Sequence, residues 1–251
     1  MKVRYETEGP VAVVTIDRPE VRNAVDEETA EELFAAFENF NADSDLAVAV
    51  LTGSGGHFCA GFDLKALAAG TGIAIDPNRG PMGPTYMQLD KPVLAAIEGH
   101  AVAGGLELAL WCDLRIASRD AVLGVFNRRF GVPLVDGGTI RLPRMIGQGR
   151  ALDLILSGRA VGADEALTMG LVERVVEPGT ALDSARDLAL HLSSFPQRAL
   201  RHDRRSVYRQ WSQDDEDSLR AEQQGGMEVI ASGESLEGAR RFAEGDGRHG
   251  S

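Results

Sequence analysis

The sequence predicts an α/β protein. Three observations carry that expectation: short Val-rich runs of strand length, Gly-rich loops at their ends, and helical patterns after the loops. Repeated alternation of strand, loop and helix belongs to a largely parallel sheet covered by helices, with ligands held where loops follow strands. The chain has 251 residues, enough for one large domain or a domain plus an appendage.

The elements follow in order. Residues 2–7 and 11–17 flank Gly9-Pro10 and predict a β-hairpin. Asp26 is an N-cap residue type ahead of a helix to about Asn41, with Leu33, Phe34, Phe37 and Phe40 along one face. Ala47 to Thr52 is a Val-rich run suited to a buried strand. It opens into Gly53-Ser54-Gly55-Gly56, and a short helix is expected at 64–68. Residues 70–84 are rich in Gly and Pro and predict a long loop, either mobile or functional. Val93 to Ile97 is a second buried strand. It leads through Gly99 and Gly104-Gly105 into the apolar helix Gly105–Trp111, with strands at Leu114–Ala117 and Val122–Gly124 beyond. After Gly147 the pattern is mainly helical: 148–156, 163–169, a strand at Leu171–Val176, then 179–193. Pro196 marks a boundary. The polar helical stretch 197–244 reads as an appendage that packs on the core or on a neighbouring subunit.

Composition excludes several function classes. There are 26 Lys+Arg against 38 Asp+Glu, a net charge of −12, so nucleic acid is not expected as the main partner. The start, MKVRYETEGP, has no apolar segment of the secretory kind. The apolar run Ala101–Cys112 is too short for a membrane span and contains Glu107. Cys59 and Cys112 form no CxxC pair and suit a reducing compartment, so a cytoplasmic protein is expected. His57, His100, His191, His202 and His249 do not group as metal ligands, and no metal or redox cofactor is expected. Gly99 and Gly104 have Walker-like spacing, but Gly105-Leu106 stands where Lys-Ser/Thr is required. No GxGxxG follows a strand, and no GxSxG is present.

Two segments hold the remaining chemistry. One is His57-Phe58-Cys59-Ala60-Gly61-Phe62-Asp63-Leu64; the other runs from Gly99 to Ala109 and contains Gly104-Gly105 and Glu107. Each takes a strand through a glycine turn into a helix start, where backbone N–H groups lack intrahelical partners. Two such amides can converge on one carbonyl oxygen and stabilise an enolate. Glu107 lies between Leu106 and Leu108 on an apolar helix; burial raises a carboxyl pKa toward the range useful for acid–base work. A Glu paired with a structural Arg is the competing reading for this residue alone. Cys59 reads as a small apolar filler, His57 as a solvated loop residue, Arg128 and Arg129 as surface charges, and Asp214 to Asp217 as an acidic helix start.

These segments, with IDRPEVRNA at 16–24, VLTG at 50–53, FCAGFDL at 58–64, KPVLAAIEGHAVAGGLELALWCDLRIA at 91–117, GGTIRL at 137–142 and ADEALTMGLV at 163–172, resemble the crotonase superfamily, the enoyl-CoA hydratase/isomerase group. The resemblance covers about residues 1–195 and is weaker beyond. It implies a spiral of repeated ββα units, with an acyl-CoA-binding core at 1–195 and a helical trimerisation or lid region at 196–251. It implies an oxyanion hole from the amides of Phe62 and Gly104. Arg22, Ala24 and Ala60 would lie along bound coenzyme A, and Asp63, Leu64 and Lys65 beside the acyl-thioester turn. Glu107 matches one of the two catalytic glutamates of hydratases and would help activate water. Coenzyme A would enter as part of the substrate, with no separate cofactor, and homotrimers or homohexamers are implied. The second glutamate of hydratases stands four residues before the glycine of the next loop. That glycine is Gly131, and the position holds Asn127. An amide cannot exchange a proton as a carboxylic acid does. Asp136 is the candidate replacement, against its simpler reading as N-cap of a helix starting at Gly137. Hydration of a 2-enoyl-CoA is the leading expectation. Isomerisation by Glu107 alone and non-catalytic acyl-CoA binding are the alternatives that Asn127 keeps open.

Overall fold

A computed structural model describes residues 1–70, 76 and 78–245. Strands β1 (Val3–Glu8) and β2 (Val11–Ile16) form the expected antiparallel hairpin, with Val3 opposite Ile16. Every residue of β2 is buried, whereas β1 is mostly open, as befits a sheet edge. Helix α1 (Glu27–Ala42) starts where Asp26 accepts the Thr29 amide, and it buries Leu33, Phe37 and Phe40; Phe34 is half-buried. Strands β3 (Val48–Gly53) and β4 (Val93–Ile97) run parallel to β2 through the centre. They are buried on both faces, which explains why they read as continuous apolar runs rather than alternating ones.

Helix α2 (Leu64–Ala68) follows β3, and β5 (His100–Val102) and α3 (Gly104–Trp111) follow β4. Strands β6 (Leu114–Ser118) and β7 (Val122–Gly124) come next. Helices α4 (Gly138–Ile146) and α5 (Gln148–Ser157) lead to β8 (Val161–Gly162), α6 (Ala163–Met169), β9 (Arg174–Val176) and α7 (Ala181–Ser193). The main sheet has the order β1-β2-β3-β4-β6-β9 and is parallel beyond the first pair; β5-β7-β8 form a second, small sheet. One apolar core packs α1 and α3 against the main sheet, and a second packs α7 on its opposite face. This is an α/β fold with C-terminal helices α8 (Gln197–Arg209), α9 (Asp215–Ala231) and α10 (Glu234–Glu244).

Four departures from the sequence expectations have clear causes. The strand expected at 171–176 is confined to 174–176, because Leu171 and Val172 close the end of α6 by bonding to the Ala166 carbonyl. The strands β5 and β8 escape a pattern search because three and two residues are too short to show one. Helix α4 begins at Gly138 with Gly137 as its cap and no side-chain cap bond, so Asp136 is not its N-cap. His57 is not a solvated loop residue: it is half-buried, and its ring meets that of His100 edge to face with centroids 5.0 Å apart. The loop expected at 70–84 and the helical region expected at 196–251 extend beyond the described residues at 71–75, 77 and 246–251, and His249 lies outside them as well.

Candidate active site

The two glycine turns meet. Cys59 N–H donates to the His100 carbonyl and Val102 N–H to the Cys59 carbonyl, so the segment after β3 pairs with β5. Gly61 lies at φ +97°, and a Cβ there would sit 2.9 Å from both the Ala103 Cβ and the Gly104 nitrogen. At Gly105 a Cβ would overlap the Cys59 carbonyl. Only hydrogen fits at these two contacts, which is why glycine stands at both. Ala103 has φ +54° and ψ −126°, an unusual conformation for alanine that turns the chain directly into α3. Among the described residues neither the Phe62 nor the Gly104 amide donates a hydrogen bond. Both residues line one cavity of about 150 Å³, whose wall includes Met82, Phe126, Val135 and Leu64.

Glu107 and Asp136 line the same cavity and are each only 2% exposed. Among the described residues Glu107 has no salt-bridge partner. Its Oε1 accepts the Asp136 amide at 2.9 Å and the Gly138 amide at 2.8 Å. Burial first, and then the charge of Asp136, push its pKa up to about 7. The Asp136 carboxyl is also raised by burial, against the pull of the Thr85 hydroxyl, the Met82 amide and Arg141. Its Oδ1 accepts the Met82 amide at 2.9 Å and the Thr85 hydroxyl. Two buried carboxyl groups this close cannot both ionise readily. Asn127 also lines the cavity; its Nδ2 donates to the Val132 carbonyl at 2.9 Å.

The remaining expected residues sit around this centre. Ala60 and Leu64 line the cavity. Arg22 holds a left-handed backbone, and its carbonyl accepts the Ala60 amide at 3.0 Å. Ala24 is buried against this turn and Lys65 is exposed. The Asp63 carboxylate is engaged within the protein: it caps α2 through the Lys65 and Ala66 amides and pairs with Arg18 at 3.1 Å. Sequence reasoning missed Arg18, which joins Asp26 and Asp63. It missed Asn23, fully buried, whose amide donates to the Ser54 and His57 carbonyls and so shapes the loop. It also missed Thr85 and Arg141. Cys59 and Cys112 are buried, with burial pushing both thiols up, Cys59 to about 12, so neither is a ready nucleophile. Arg128 and Arg129 are exposed. Among the described residues no group of three or more His, Cys, Asp or Glu is placed to hold a metal ion, and no helix is long and apolar enough to cross a membrane.

The fold is mixed α/β, and one cavity is lined by Phe62, Gly104 and the buried Glu107. The family described as enoyl-CoA hydratase/isomerase matches residues 6–248. An enoyl-CoA hydratase of Mycobacterium tuberculosis is 35% identical over 246 residues, 95% of this chain and 92% of that protein. A carnitinyl-CoA dehydratase of Citrobacter koseri is 36% identical, covering 96% of this chain and 95% of the other. The crystal structure of an enoyl-CoA hydratase from Mycobacterium marinum superposes with a TM-score of 0.92 at 35% identity, covering 97% and 96% of the two chains. The chain belongs to the enoyl-CoA hydratase/isomerase family, within the crotonase superfamily, and is an acyl-CoA enzyme of that type.

Proposed function

We propose that the protein adds water across the α,β double bond of a 2-enoyl-CoA, or removes it in the reverse direction. The observation that carries this reading is the pair of buried carboxyl groups, Glu107 and Asp136, in a cavity that also holds the amides of Phe62 and Gly104. The named relatives, a hydratase and a dehydratase, perform by name the two directions of such a reaction.

In this reading the thioester oxygen accepts hydrogen bonds from the two amides, which strengthen as enolate charge develops. One carboxyl group takes a proton from water as its oxygen bonds to the β carbon; the other delivers a proton to the α carbon. Asp136 thus supplies the second carboxylate that Asn127 does not. Arg22, Ala24 and Ala60 hold coenzyme A, and Leu64 and Lys65 flank the turn into the acyl pocket, whose far wall is Met82 and Phe126. Residues 196–251 serve as a trimerisation or lid region; Val207, Trp211, Leu219 and Ile230 expose apolar surface there that a second copy would cover. The expected setting is cytoplasmic.

Crotonyl-CoA provides the test. Loss of the enoyl absorbance at a steady rate is expected, and it should fall about a thousandfold in Glu107→Gln while CoA binding is kept. Binding without turnover across a panel of enoyl- and 3-hydroxyacyl-CoA thioesters would overturn the reading in favour of a non-catalytic binder.

A further inference from the structure

We propose that Thr85, held by Arg141, fixes which of the two buried carboxyl groups keeps the proton, so that ionised Asp136 takes the proton of water and neutral Glu107 supplies the α carbon. This deepens the hydration reading and rests on it.

The two carboxyl groups have different surroundings. Thr85 is fully buried, and its hydroxyl donates to Asp136 Oδ1, the same oxygen that receives the Met82 amide. Arg141 bridges the two segments, with Nη1 on the Asp136 carbonyl at 2.8 Å and Nη2 on the Thr85 carbonyl at 2.6 Å. Its guanidinium therefore ties the Asp136 backbone to the Thr85 backbone, and its charge acts on both buried carboxyl groups. The packing is tight: a Cβ at Gly80 would overlap Thr85 Oγ1 and lie 2.7 Å from Asp136 Oδ1. Glu107 is met by backbone groups of Val135, Asp136 and Gly138 and, among the described residues, by no side-chain donor.

A hydroxyl and a nearby cation both favour a charged carboxylate. The groups that act on Asp136 are Glu107 from α3, Arg141 from α4 and Cys59 from the loop after β3; Tyr208 of α8, Glu107 and Cys112 also act on Arg141, so the Thr85 hydroxyl is what Asp136 has and Glu107 lacks. Burial keeps Cys59, Cys112 and Tyr208 neutral at physiological pH. The balance falls between Glu107 and Arg141, and the Thr85 hydroxyl tips it.

The proton inventory closes. The water oxygen bonds to the β carbon, its proton passes to Asp136, and the electron pair of the double bond moves onto the thioester oxygen. The enolate collapses as Glu107 gives its proton to the α carbon. Asp136 is left protonated and Glu107 ionised, and one proton passing from the first to the second restores the starting state. Relative to the family resemblance, the water-activating task moves from Glu107 to Asp136. Thr85 is a positioning residue that acts through Asp136.

The test is the pH profile of kcat/KM for crotonyl-CoA in the wild type, Thr85→Val and Thr85→Ser. Thr85→Val should move the acidic limb upward by about one pH unit, a tenfold loss on that limb, with the alkaline limb little changed. Thr85→Ser should return it. A uniform fall at every pH, or no rescue by serine, would overturn the proposal. Should Thr85→Val fail to fold, an infrared titration of wild-type carboxyl groups, assigned with Asp136→Asn and Glu107→Gln, reads the same order. Asp136 ionising below Glu107 supports the proposal, and the reverse order overturns it. The titration needs no turnover: that order in a protein that hydrates no acyl-CoA would uphold the proton placement and remove the hydration reading.

Discussion

At the first glycine turn, Asp63 closes the N-terminus of its helix with its own side chain, accepting the Lys65 and Ala66 amides. At the second, no side chain caps α3, and Ala103 bends through φ +54° to start it. The first turn belongs to a five-residue helix that is tied down by Arg18. The second belongs to a fully buried helix that carries Glu107. A helix end without a side-chain cap keeps its first amides open to other acceptors. The short helix has little packing to hold it and needs the cap; the buried one is held by its neighbours and can do without.

The largest effect that sharpens this contrast is chemical. Glu107→Gln should lower hydration of crotonyl-CoA about a thousandfold, because it removes a proton carrier and leaves the amides in place. CoA affinity by calorimetry should change by no more than about threefold, since no step of binding needs the Glu107 proton. Gly105→Val attacks the contact between the turns: its side chain would press on the Cys59 carbonyl, costing about 3 kcal/mol in urea unfolding. Asp63→Ala should cost about 1–2 kcal/mol through the lost cap and raise KM more than it lowers kcat. No equivalent substitution exists at the second turn. Ala103→Gly instead relieves an unfavourable φ and should stabilise by less than about 1 kcal/mol, with a lower kcat as the Gly104 amide loses its fixed aim.

The smallest effect concerns Asp26, the other partner of Arg18. Burial works against its charge, but Lys2 and the Thr29 hydroxyl and amide outweigh this and lower its pKa from 3.8 to about 2. A depressed folded-state pKa stabilises above the unfolded value and loses that contribution as pH falls through the folded one. Wild-type stability should therefore drop between about pH 4 and pH 2, and Asp26→Asn should show a shallower drop when unfolding is followed by circular dichroism.

Local rules located much of this protein. The hairpin around Gly9-Pro10, the capped start of α1 and the buried strands β3 and β4 are written in short-range pattern, because burial on two faces demands an apolar run and a helix start demands a capping side chain. Glu107 stood out as a charge inside an apolar helix. Asn127 stood out only through the family resemblance, which implies a carboxylate at that position. Thr85 did not, because a threonine in a Gly/Pro-rich stretch carries no signal until its 51-residue separation from Asp136 is closed by folding.

The sequence by itself determined the α/β class, the two glycine turns and one buried carboxyl, since each follows from neighbours within a few residues. Only the tertiary structure decided that the turns touch at Gly61 and Gly104, that Asp136 faces the cavity of Glu107 instead of capping α4, and that Thr85 and Arg141 hold it there. The physical reason is that a pKa and a close approach depend on what is brought near through space, which sequence spacing does not encode.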